Sequence, residues 1–140
     1  MNNDEELQRY MMVIEQCKEQ MNTLEMQNQY LQAAFADYNK AKLTLENLEK
    51  TNEKEIKMLM PIGGGALIDA TAKSTDKVLM DIGAGLVSEK TYDDAIKKID
   101  ERLEQLQKTQ DRLNEMIEQV QSEATQAQEK AQKLMSEHQK

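Results

Sequence analysis

The sequence has no tryptophan and only one cysteine, one histidine, one proline and one phenylalanine in 140 residues. Each scarcity excludes something. A lone Cys17 can close no intrachain disulfide, which fits a reduced setting. His138 stands near the end of a helical tail with no Cys or Asp cluster around it, so neither a zinc site nor a catalytic dyad is expected. Gly63-Gly64-Gly65 runs into Ala-Leu-Ile without the Gly-Lys-Ser/Thr of a phosphate loop. Gly83-x-Gly85 lacks a third glycine and is followed by a strand pattern, so it is no dinucleotide fingerprint. Aromatics at 4% argue against a dense globular core. A net charge of −8 argues against nucleic acid, because phosphate binding needs a basic surface. The opening MNNDEEL reads as neither a signal peptide nor a membrane span, so a soluble cytoplasmic protein is expected, with no membrane partner. The carboxylates, Glu15 and Glu19 among them, fall on solvated helix faces. No enzyme activity, metal or cofactor is expected.

What the chain does have is two long charged arms around a short β-rich centre. The first arm, 4–53, contains no Pro or Gly, with Asn3 expected to cap it and Asp4, Glu5 and Glu6 at the positive end of the helix dipole. Tyr10, Val13, Cys17, Gln20, Leu24, Gln27, Leu31, Ala34, Tyr38, Ala41, Leu45 and Leu48 recur at alternating spacings of three and four. That spacing predicts a coiled-coil seam. Ile14, Met21 and Phe35 add a flanking stripe. The second arm, 91–138, opens on Thr91 with Asp94 three places on, a capping-box variant. Its seam runs through Tyr92, Ile96, Ile99, Leu103, Leu106, Gln110, Leu113, Ile117, Val120, Ala124, Ala127, Ala131 and Leu134, where Gln110 is the one polar interruption.

The centre, 57–90, reads as two β-hairpins. Strands are expected at Met58–Ile62, Ala66–Thr71, Lys77–Ile82 and Gly85–Glu89, turning at Gly63-Gly64-Gly65 and at Gly83-Ala84. The polar link Lys73-Ser74-Thr75-Asp76 joins the pairs. Pro61 cannot donate to a ladder and predicts an edge or a bulge. Apolar groups fall on both faces of these strands, a pattern of strands covered on both sides. Hairpins alone are marginal in water, and the chain offers little else to cover them. Leu59, Ile62, Leu67, Ile68, Val78, Leu79, Ile82, Leu86 and Val87 are therefore the candidate assembly residues.

Matched arms around a compact centre are expected to fold back antiparallel. With Glu53 opposite Tyr92, facing residue numbers add to about 145. Ile14 then faces Ala131, and Cys17 lies near Ala127. With Gln20 and Gln27 in its seam, the far end would be the leaner part and fray first. The candidate surface for an apolar partner is the pair of tips, at Leu7, Met11, Met12, Ile14, Leu134 and Met135. The competing reading is ordinary seam packing with loose termini. Ten methionines suit an adaptable surface, although those of the centre are equally core filling.

Four short runs in the centre carry a resemblance: Pro61-Ile62-Gly63, Lys77-Val78-Leu79, Ile82-Gly83-Ala84-Gly85 and Val87-Ser88-Glu89. With the order helix, two hairpins, helix, they resemble the α class of archaeal prefoldin subunits. Ala66-Leu67-Ile68 departs from the pattern, which often carries an aromatic there. The resemblance implies one prefoldin-like domain over 1–140. Its fold would be mainly α with a small β region, a long antiparallel coiled-coil hairpin whose central β-hairpins form an oligomeric β-barrel platform. It implies a heterohexamer of two α-class and four prefoldin β subunits. It also implies ATP-independent capture of unfolded proteins by apolar coiled-coil tips, and their transfer to a group II chaperonin. The alternative is a passive coiled-coil scaffold or spacer with a β oligomerisation module.

Overall fold

The computed structural model describes residues 2–51, 53–73 and 77–138. Ser74, Thr75 and Asp76 of the polar link lie outside these residues, as does the side chain of His138. The order is helix α1 (Asn3–Lys50), strands β1 (Glu55–Gly63), β2 (Ala66–Lys73), β3 (Lys77–Gly83) and β4 (Leu86–Thr91), then helix α2 (Tyr92–His138).

The helix ends follow local chemistry. The cap of α1 is Asn2 rather than Asn3. The Asn2 side-chain oxygen accepts from the Asp4 amide at 3.2 Å, and its carbonyl accepts from the Glu5 and Glu6 amides. At α2 the expected cap is present: the Thr91 hydroxyl oxygen accepts from the Asp94 amide at 3.1 Å. Helix α1 stops at Lys50, three residues before the expected Glu53. Thr51 closes it, its amide donating to the Leu48 carbonyl and its hydroxyl to that of Asn47.

The chain forms two compact units, Met1–Phe35 with Glu104–Lys140, and Ala36–Leu103. In the first, the two helical segments run antiparallel. Asn28 and Gln32 both bond to Gln110, and Lys130 lies 5.9 Å from the centroid of the Tyr10 ring. Cys17, Leu24, Leu113, Ala127 and Ala131 are buried between them. The pairs Tyr10/Lys130 and Gln32/Gln110 add to 140 and 142, not 145. The pairing slides along the helices because α1 ends early. In the second unit Lys42 and Asp100, at 2.7 Å, keep the same offset.

The α1 seam holds at Tyr10, Cys17, Leu24, Leu31, Ala34, Tyr38, Ala41, Leu45 and Leu48, all buried or half-buried, and departs at three positions. Val13, Gln20 and Gln27 are exposed, whereas Ile14, Met21, Asn28 and Phe35 are at least half-buried. Each set recurs every seven residues and alternates with Tyr10, Cys17, Leu24 and Leu31 at three-four spacing, so either can flank those residues in the seam. The observed phase is the one that lets Asn28 bond to Gln110. On α2 every expected seam position from Tyr92 to Leu134 is buried or half-buried.

In the second unit β1 pairs antiparallel with β2, and β3 with β4, as two separate two-stranded sheets. The turns are tighter than the glycines suggest. Gly64 and Gly65 have φ of 59° and 78°, and Ala84 and Gly85 have 53° and 75°. Two successive positive φ values make the turn whose twist suits a two-residue hairpin. The ladder slips between Pro61 and Gly63, and again between Asp81 and Gly83, so the bulge expected at Pro61 is present. The two hairpins repeat one another: Leu59, Met60, Ile62, Gly63 and Gly65 recur 20 residues on as Leu79, Met80, Ile82, Gly83 and Gly85.

Candidate functional site: the apolar β surface and the arm tips

The hairpins expose what a folded chain ordinarily hides. Leu59, Ile62, Leu67, Ile68, Ile82, Leu86 and Val87 are exposed, and Leu79 reaches 69%. Only Val78 among the assembly candidates is half-buried, in a recess it shares with Leu45, Ala95 and Ile99. The pairing register explains the exposure. Met60 lies across from Ile68 and Pro61 from Leu67, on opposite faces of one sheet. One covering layer can therefore shield only half of these residues. Each large aliphatic side chain left in water forgoes about 1.5–3 kcal/mol that burial would return. Shielding all of them takes a layer on each face of the sheet.

One clasp fixes the second hairpin within its unit. The Arg102 guanidinium donates to the Asp81 carbonyl at 2.8 Å and lies 5.9 Å from the Tyr38 ring centroid. The Asp81 carboxylate accepts from the Gly83 amide at 2.8 Å, which holds the bulge. Pro61 occupies the equivalent place in the first hairpin and brings no such carboxylate. Near the hairpins, the bond between the Glu49 and Asp93 side chains raises the Glu49 carboxyl from its ordinary value; some loss of hydration and the charges of Asp93 and Glu46 add to the effect, and Lys50 opposes it. Lys42 is raised by its bond to Asp100, against the cost of burial.

The tip candidates divide. Met11, Met12 and Met135 are exposed, while Leu7, Ile14 and Leu134 are half-buried. The expected polar thinning at Gln20 and Gln27 is absent from the seam, because both face solvent. The polar layer lies at Gln110 instead. Its amide nitrogen donates to Asn28 at 2.9 Å and to Asn114 at 3.0 Å, and its oxygen accepts from Gln32 at 3.2 Å. Its one sequence signal is the lone polar residue in the α2 seam.

Among the described residues, no group of acidic, His or Cys side chains is arranged to hold a metal ion, and no helix is long and apolar enough to cross a membrane. A family model described as "Prefoldin subunit" matches residues 17–137. The chain is similar to prefoldin subunit alpha of Methanococcoides burtonii, 39% identical over 102 residues, covering 71% of this chain and 73% of the relative. The same subunit of Pyrococcus horikoshii is 30% identical over 135 residues, covering 94% and 91%. That of Archaeoglobus fulgidus is 29% identical over 140 residues, covering 100% and 99%. Among solved structures, a cryo-EM structure of filamentous PFD from Methanocaldococcus jannaschii shares the fold, with a TM-score of 0.56 at 22% identity over 88% of this chain and 95% of that one.

Proposed function

Since the chain belongs to the prefoldin family, as an α-class subunit of archaeal type, we propose that it works as an ATP-independent holdase subunit of a mixed assembly. The hairpins are its assembly surface and β-class prefoldin subunits are the partners that cover it. The arms project from the resulting platform and take up unfolded polypeptides through Met11, Met12 and Met135, with Leu7, Ile14 and Leu134 joining when the ends loosen. A group II chaperonin receives the client, and the setting is the cytoplasm. The mechanism is multivalent: each tip grips weakly, several tips together retain the client, and weak single contacts allow release without a nucleotide.

The observation that carries this reading is the double-faced exposure of the hairpin aliphatics. A spacer protein has no use for such a surface beyond self-pairing. The test is suppression of aggregation of a denatured model protein by the chain mixed with a matching β-class subunit. Protection that is lost in the Met11→Ser/Met12→Ser/Met135→Ser variant, with the assembly mass unchanged, is expected. A complex that assembles but never protects the client would establish the passive scaffold instead.

A further inference from the structure

The first unit carries an apolar groove of about 550 Å³ between its two helical segments. Leu31 and Leu113 form its floor, and Tyr30 and Met116 stand at its sides. Tyr30 is 77% exposed and Met116 50%. Met26, one turn before Tyr30, is exposed as well. None of these belongs to the tips or to the hairpins. Arg112 lines the same groove and forms no ion pair among the described residues.

A tyrosine this exposed beside a leucine floor contributes little to holding the two helices together. It does offer a large rigid face with a polar end. Methionine opposite it adapts to the shape of its guest. The unpaired guanidinium sets the electrostatics. The chain carries −8 overall, so its arms repel acidic segments in general. Arg112 is the one charged side chain among those lining the groove, and Arg presents a fork that fits a carboxylate.

We propose that this groove is a second client site, distinct from the tips, selective for a non-native segment in which a bulky apolar side chain is followed by a carboxylate. The apolar side chain enters between Tyr30 and Met116, and the carboxylate pairs with Arg112. The proposal rests on the holdase reading for its class of ligand but not on the tips.

The test uses the full-length chain and two short fluorescent peptides. Both have a Leu-Phe-Leu core, one followed by two glutamates and the other by two lysines. Anisotropy titration should favour the glutamate peptide about five-fold, the scale of one or two exposed ion pairs. Arg112→Glu should reverse that preference, and Tyr30→Ser should weaken both peptides about tenfold, the scale of a lost aromatic anchor. In the Met11→Ser/Met12→Ser/Met135→Ser variant both peptides should lose what the tips contribute, while the preference for the glutamate peptide remains. Equal affinity for the two peptides, or no binding of either, would overturn the proposal. So would complete loss of binding in the tip variant alone, which would place capture at the tips. A self-association equilibrium that Tyr30→Ser abolishes without peptide would show that a second copy occupies the groove. If the tip variant keeps full protection of a denatured client, the tip reading fails while the groove stands.

Discussion

Helices α1 and α2 are nearly equal in length, at 48 and 47 residues, yet they use their apolar residues differently. On α2, the seam takes nearly all of them, and only Met116 and Met135 are large apolar side chains left exposed. On α1, Met11, Met12, Val13, Met26, Tyr30 and Leu43 all face solvent. One helix is dedicated to its neighbour, whereas the other satisfies that neighbour and leaves further large apolar side chains spread around its exposed faces. Amphipathic packing needs only one apolar stripe per helix.

That contrast can be broken most sharply at the seam. Leu113→Ala removes a buried side chain from α2 and should cost about 2–5 kcal/mol in chemical denaturation, as core truncations do. Val13→Ala, among the exposed apolar residues of α1, should stay within about 0.5 kcal/mol, the range of surface changes. Equal losses at the two sites would erase the distinction between the helices. Thr91→Ala removes the cap of α2 and should cost about 1 kcal/mol, read as a lower melting temperature.

Gln110→Leu sharpens the comparison in another way. A buried amide that selects one pairing does so at some cost in stability. The variant should melt at an equal or higher temperature. Spin labels at Gln20 and Glu123, both facing solvent, should then report a broader distance distribution, since either three-four phase of α1 becomes acceptable. An unchanged narrow distribution would remove Gln110 from its role in setting phase.

The smallest effect concerns pH. The Glu49 carboxyl is raised in the folded chain, so it takes up a proton at a pH where the unfolded chain is still ionised. Its contribution to stability is fully present below the ordinary carboxylate range and fades as pH rises through the folded value. Glu49→Gln should therefore stabilise slightly at neutral pH relative to the parent, and the gap should close on acidification. A gap that widens toward acid would reverse the sign assigned to the Glu49–Asp93 contact.

Legibility in the sequence followed the range of the deciding interaction. The glycine turns, the Pro61 bulge, the Thr91 cap and the α2 seam are set within a few residues, and pattern reading reached them. Helix α1 offered two stripes with identical spacing. The choice between Val13-Gln20-Gln27 and Ile14-Met21-Asn28 depends on a partner, Gln110, about 80 residues away. Asn28 is absent from the expected seam for that reason. The exposed hairpin aliphatics were legible because their number on both strand faces exceeds what two strands can cover. The groove was not, since Tyr30 and Arg112 meet only after the arms fold back.

Among the described residues, Ala84 is the one non-glycine in the left-handed region, at φ 53°, where the sister loop has Gly64. A Cβ there costs roughly 1–2 kcal/mol in the folded loop. It also narrows the wandering of the loosened chain, which returns about 0.4–1 kcal/mol. The two loops are therefore unequal versions of one design: the glycine loop closes without strain but gives up more chain entropy, while the alanine loop is pre-stiffened and strained, and leans more on its clasp at Arg102.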